Sequence, residues 1–152
     1  MDKNIHTNLE NEFSSIDVFI LNKAEEIAEQ KTSNVGIVCL RNDGIITFEP
    51  KKGKTTHELS AMEVEFNIFK DWAKSGRRKF MCDNRELKKF DNKIREYAQQ
   101  NLPFFCNRFA LLINSGISSF LTNMFIYLNR PEIPIKAFTN KGDALKWLKE
   151  NE

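Results

Sequence analysis

The sequence predicts an α/β domain on a mixed, mainly parallel sheet of about five strands, entered through an N-terminal antiparallel hairpin and carrying about four helices plus an extra N-terminal one. Three observations carry this. The last third, RFALLINSGISSFLTNMFIYLNRPEIPIKAFTNKGDALKWLKENE, reads strand, helix, strand, helix. An Asp43-Gly44 pair separates the β-branched run VGIVCL from ITFEP, and such a tight turn needs a positive φ that glycine adopts without steric cost. Helical and extended patterns then alternate to the C-terminus, which requires crossover connections and hence parallel strands.

Leu9, Phe13, Ile16, Ile20, Ala24 and Ile27 recur at three and four residues, and AEEIAEQK supplies strong helix formers, so an amphipathic helix is expected over 15–31. The alternation of Ile16, Val18 and Ile20 offers a strand as its rival. Residues 1–33 are read as a helical extension and 34–152 as the domain proper. The hairpin strands are expected at 35–40 and 45–49. Thr55 and Glu58 have capping-box spacing for a helix over 57–74. That helix carries two apolar stripes, one of Leu59, Met62, Phe66, Phe69 and Ala73, the other of Ala61, Val64, Ile68 and Trp72. The second stripe calls for a cover, from the N-terminal helix or a second subunit, and a homodimer through these two helices is the expectation.

KFMCD reads as a strand at 79–83, followed by a helix from 86 or 91 to 101 that Pro103 stops. FALLI, 109–113, has the unbroken apolar character of a strand covered on both faces. A dense stripe of Ile117, Phe120, Leu121, Met124, Phe125 and Leu128 marks a helix, PIKAF a final strand at 134–138, and Thr139 or Asn140 the cap of a last helix facing inward with Ala144, Leu145 and Leu148.

Composition excludes more than it assigns. The chain has 152 residues, 41% hydrophobic and 29% charged, with a net charge of +2, too small to name nucleic acid or membrane as partner. No run approaches the length of a membrane span and the N-terminus lacks a signal-peptide core, so a cytoplasmic protein is expected. Cys39, Cys82 and Cys106 are three thiols at wide spacing, which fits buried structural thiols better than a disulfide framework or metal site.

The segments Gly44 to Phe48, CDNRELKKFDNK, ALLINSGISSFLTNMFIYLNRP and PIKAFTNKGDALKWL together resemble bacterial STAS-like domains, the fold of anti-sigma-factor antagonists, over roughly 35–150. The resemblance is to a stand-alone branch of unassigned function and implies a regulatory or protein-interaction role. Antagonists of this family place a phosphorylatable serine after an aspartate at the start of a helix, where free N–H groups stabilise phosphate. Asp83, Leu87, Phe90 and Asp91 match that spacing, but Asn92 stands where the serine would be and has no hydroxyl. Asp83, Asp91, Asn92 and Lys93 are therefore the partner-binding candidates, with helix capping the plainer role of Asp91. A lipid-transfer superfamily is related in topology, which makes an apolar-ligand or lipid-binding protein the alternative.

Catalytic chemistry finds few residues. His6 and His57 are the two histidines, without partners for a triad or metal cluster. Glu58, Glu63 and Glu65 read as a solvated helix face, and no glycine-rich phosphate cradle occurs. No catalytic residue, metal, cofactor or nucleic-acid partner is expected. Lys74, Arg77, Arg78 and Lys79, with Lys51, Lys52, Lys54, Lys88 and Lys89 elsewhere, would form an anion-attracting patch if the hairpin turn and the loop before KFMCD share one end of the sheet. Phe104, Phe105 and Trp72 are candidates for a pocket rim or subunit contact, with core packing the plainer role of Phe104 and Phe105.

Overall fold

The computed structural model describes residues 26–87, 91–115, 122–123, 126 and 129–150. They build one six-stranded sheet whose spatial order follows the chain: β1 (Ile27–Thr32), β2 (Gly36–Arg41), β3 (Ile46–Pro50), β4 (Arg78–Asp83), β5 (Cys106–Leu112) and β6 (Ile135–Phe138). β1, β2 and β3 pair antiparallel, and β3 through β6 run parallel. The helices are α1 (Leu59–Trp72), α2 (Asn92–Phe105) and α3 (Lys141–Lys149), and Thr122, Asn123, Ile126 and Asn129 are helical between β5 and β6.

Both sides of the parallel strands are covered. Phe48, Phe80, Cys82 and Cys106 share a core with Met62, Phe66, Phe69 and Trp72 of α1 and Ile94, Leu102 and Phe105 of α2. On the opposite side, Ile45, Met81, Ala110 and Leu112 pack on Ala144 and Leu148 of α3. The first core is aromatic: Phe80 stacks on Phe109 at 5.0 Å and Phe66 meets Phe105 edge-on at 5.0 Å, geometries that the ring quadrupole favours. The Asp43-Gly44 turn is present, with Gly44 at φ 83°. Gly36, opposite Pro50, is required by packing, since a Cβ there would sit 2.5 Å from the Phe48 ring.

Three expectations are corrected. The helix expected over 15–31 is a strand from Ile27 onward, and residues 15–25 lie outside the described residues. IAEQKT favours helix by propensity, but pairing its backbone with β2 outweighs that weak preference, and it raises the strand count to six. Thr55 does not cap α1: Glu58 is the N-cap residue, with extended backbone and no side-chain cap bond. Pro103 does not stop α2, which continues to Phe105; the hydrogen bond it forfeits would reach the carbonyl of Gln99, an exposed residue that water can serve. The second stripe of α1 is divided. Ala61 and Trp72 are buried and Lys31 lies 5.9 Å over the Trp72 ring, leaving Val64 exposed.

The ends of the fold are closed by side chains. Asn140 accepts from the Asp143 N–H at 2.8 Å as the N-cap of α3. At the other end of α3, Arg108 donates to the carbonyls of Trp147 and Glu150, at 2.8 and 2.9 Å, satisfying acceptors that the helix leaves open. On the outer edge of β6, Asn123 accepts from the Ala137 N–H at 2.8 Å and donates to its carbonyl at 3.3 Å.

Candidate functional site

The carboxyl ends of β3 and β4, called the upper end below, meet the β1–β2 turn and the loop before α1. In open α/β sheets this is where ligands ordinarily gather. Here the chain forms a small depression lined by Val35, Phe48, Pro50, Lys54, Thr56, His57, Asp83, Asn84 and Leu87, with room for about one water molecule.

Asn84 organises the depression. Its N–H donates to the Leu112 carbonyl at 2.9 Å, prolonging the β4–β5 pairing by one residue. Its side-chain oxygen lies 2.8 Å from His57 Nε2 and accepts from Cys82 Sγ at 3.3 Å. An amide oxygen facing Nε2 assigns the proton to that nitrogen. The His57 ring also packs on Phe48 at 5.5 Å. Burial lowers the His57 pKa and the Asn84 bond offsets this only in part, so the ring is neutral at pH 7.

Behind the depression lies a buried carboxyl. Glu65, 3% exposed, accepts from Ser33 Oγ at 2.6 Å. Ser33 Oγ in turn accepts from the N–H groups of Val35 and Gly36, at 3.2 and 3.0 Å. One hydroxyl thus orders the β1–β2 turn and ties it to α1. Burial raises the Glu65 pKa to about 7 against the opposing Ser33 bond. The neighbouring Cys82 thiol is pushed well up by burial, then by the charges of Glu65 and Asp83. Cys106 is raised to about 12, mainly by burial, and Cys39 is buried as well. All three are buried thiols, and Cys82 and Cys106 are held protonated.

The partner-binding candidates all lie at this upper end. Asp83 closes β4 and grips Arg85 through two side-chain bonds of 3.0 and 2.7 Å and a backbone N–H at 3.1 Å. Burial works to raise its pKa, but the Arg85 bonds and charge hold it below the usual carboxylate value. Asp91 accepts from the Lys93 N–H at 2.8 Å as the N-cap of α2, the plainer role foreseen for it. Asp91, Asn92 and Lys93 are exposed. Phe104, Phe105 and Trp72 do not form a pocket rim: Phe105 and Trp72 belong to the core, and Phe104 is exposed. Among the described residues, no group of three histidine, cysteine, aspartate or glutamate side chains is placed to hold a metal ion, and no helix is long and apolar enough to cross a membrane.

Glu65, Ser33 and Asn84 escaped the reading of the sequence. Glu65 was assigned to a solvated face, yet on the helical wheel it falls between Ala61 and Trp72 of one stripe and Met62 and Phe69 of the other, a position that faces the core. The basic residues divide. Lys51, Lys52 and Lys54 lie at the upper end, whereas Lys74 and Arg77 precede β4 and Arg78 and Lys79 open it, at the opposite end; Lys88 and Lys89 fall outside the described residues.

Residues 38–152 match the family described as a domain of unknown function, DUF7793. Among solved structures, an uncharacterised Shewanella loihica protein of the DUF3478 family with a SpoIIAA-like fold is 17% identical over 79% of this chain and 90% of its own, with a TM-score of 0.48. A protein of unknown function from an Arthrobacter species is 23% identical over 78% of this chain and 96% of its own, with a TM-score of 0.27. Comparison with curated proteins gives no match.

Proposed function

Because the chain belongs to the DUF7793 family, a domain of unknown function, and its upper end is a surface of mutually bonded polar groups around a shallow depression, we propose that it is a non-enzymatic interaction module. The partner is a protein that docks on the exposed start of α2 at Asp91, Asn92 and Lys93, with the Asp83–Arg85 pair beside it. The observation that carries this reading is the depression itself: it takes about one water, and its polar side chains His57 and Asn84 are bonded to each other. Such a surface suits contact by another surface better than enclosure of a substrate.

The STAS-like resemblance supports the same place. In that comparison the start of this helix carries the switch residue, and here Asn92 replaces it, so docking is constitutive and not governed by phosphate at this position.

Quantitative affinity capture from cells that natively express the chain tests the assignment. Asn92→Arg is expected to deplete the specific partner at least tenfold, while Arg77→Glu, at the opposite end, leaves it in place. A partner captured equally by both variants, or none captured by the wild type, overturns it.

A further inference from the structure

The end of the molecule opposite the depression has a different chemistry. α1 and α2 run from the upper end and both finish here, so the loop from Ala73 to Arg77 and the last turn of α2 are neighbours. The stretch from Lys70 to Lys79 holds five cations, Lys70, Lys74, Arg77, Arg78 and Lys79, against one carboxylate, Asp71. The hairpin turn lies at this end too, since a Cβ on Gly44 would come within 3.2 Å of the Arg78 guanidinium. Arg78 pairs in register with Cys106, and the charge of Arg77 reaches that thiol, which places the basic loop against the α2–β5 junction.

At that junction stands Phe104, 68% exposed. Its ring lies 5.2 Å from the Lys70 ammonium, which also donates to Asn101 at 3.3 Å. An exposed phenyl ring costs hydration, and here it sits under the Lys70 ammonium, at the end of the fold where the Lys74–Asp71 pair and Arg77 also lie. Apolar ring and cations together match a lipid interface, where the ring enters the headgroup boundary and long basic side chains reach anionic headgroups. Nucleic acid fits less well, because strand binding draws on a longer basic track and successive stacking rings.

We propose that this lower end docks on anionic membrane surfaces, with Phe104 as the apolar anchor and Lys74 and Arg77 facing the headgroups. The surface is distinct from the upper end, and one can fail without the other.

Sedimentation of the full chain with phosphatidylcholine vesicles, with and without about 30% phosphatidylserine, tests it. Binding is expected only to the anionic vesicles, and about 0.5 M salt should release it by screening. Each basic residue near such a surface contributes about fivefold in affinity. The double variant Lys74→Glu with Arg77→Glu should therefore weaken binding more than tenfold, and Phe104→Ser several-fold. These side chains are exposed, so circular dichroism should be unchanged. Absence of binding to anionic vesicles, full binding by both variants, or capture of a single-stranded oligonucleotide in place of vesicles overturns the proposal.

Discussion

Glu65 is the residue on which most of the upper end turns. Its carboxyl keeps its proton to about pH 7 in the folded chain, whereas its ordinary value is 4.5. Between those values the folded state binds the extra proton, so this contribution to stability is complete below pH 4.5 and is lost as pH rises through 7. Glu65→Gln keeps an acceptor for Ser33 and cannot ionise. It should exceed the wild type in stability by about 2–3 kcal/mol above pH 8 and match it near pH 4, read as the gap between urea unfolding curves across pH. Asp43 and Asp83, whose pKa values are lowered, act in the opposite direction at acid pH in both proteins and cancel in that difference. Gly36→Ala offers a second check, since its Cβ would strike the Phe48 ring and the Glu49 carbonyl; a loss of about 1–3 kcal/mol is expected in the same assay.

Among the elements, those with strong local grammar were legible in the sequence and those shaped by distant neighbours were not. Asp43-Gly44 announces the β2–β3 hairpin because only a positive φ closes it, and Asn140 announces α3 because its side chain serves the first-turn N–H groups. β1 was illegible for the opposite reason. Five of its six residues are exposed, so it lacks the alternation that marks a half-buried strand, and it exists because β2 offers an edge. The site divides likewise: Asp91 as a cap follows from spacing, while the pairing of Glu65 with Ser33 joins residues 32 positions apart. At the far edge, Asn123 holds both backbone groups of Ala137. Asn123→Ala should cost about 1 kcal/mol and expose a strand edge to other chains, visible as a lower urea midpoint and concentration-dependent light scattering.

At the scale of the molecule, the polar upper end and the basic lower end are separated by the two cores, and all three thiols are sealed within the protein. Native protein should therefore resist a thiol reagent, with Cys82 and Cys106 labelled at the rate of unfolding; labelling faster than unfolding would reveal local opening of β4 or β5.

The sheet also records its own assembly. Since each strand lies beside the one that precedes it in the chain, every pairing closes with the next available partner. The antiparallel pairs of β1, β2 and β3 close locally, whereas the three parallel pairs each wait for their crossover segment. During synthesis, β2 and β3 can join as soon as both have emerged, and β4, β5 and β6 then find a finished edge in turn. Growth of the polypeptide and growth of the sheet run in the same direction, so the chain extends its own template as it leaves the ribosome.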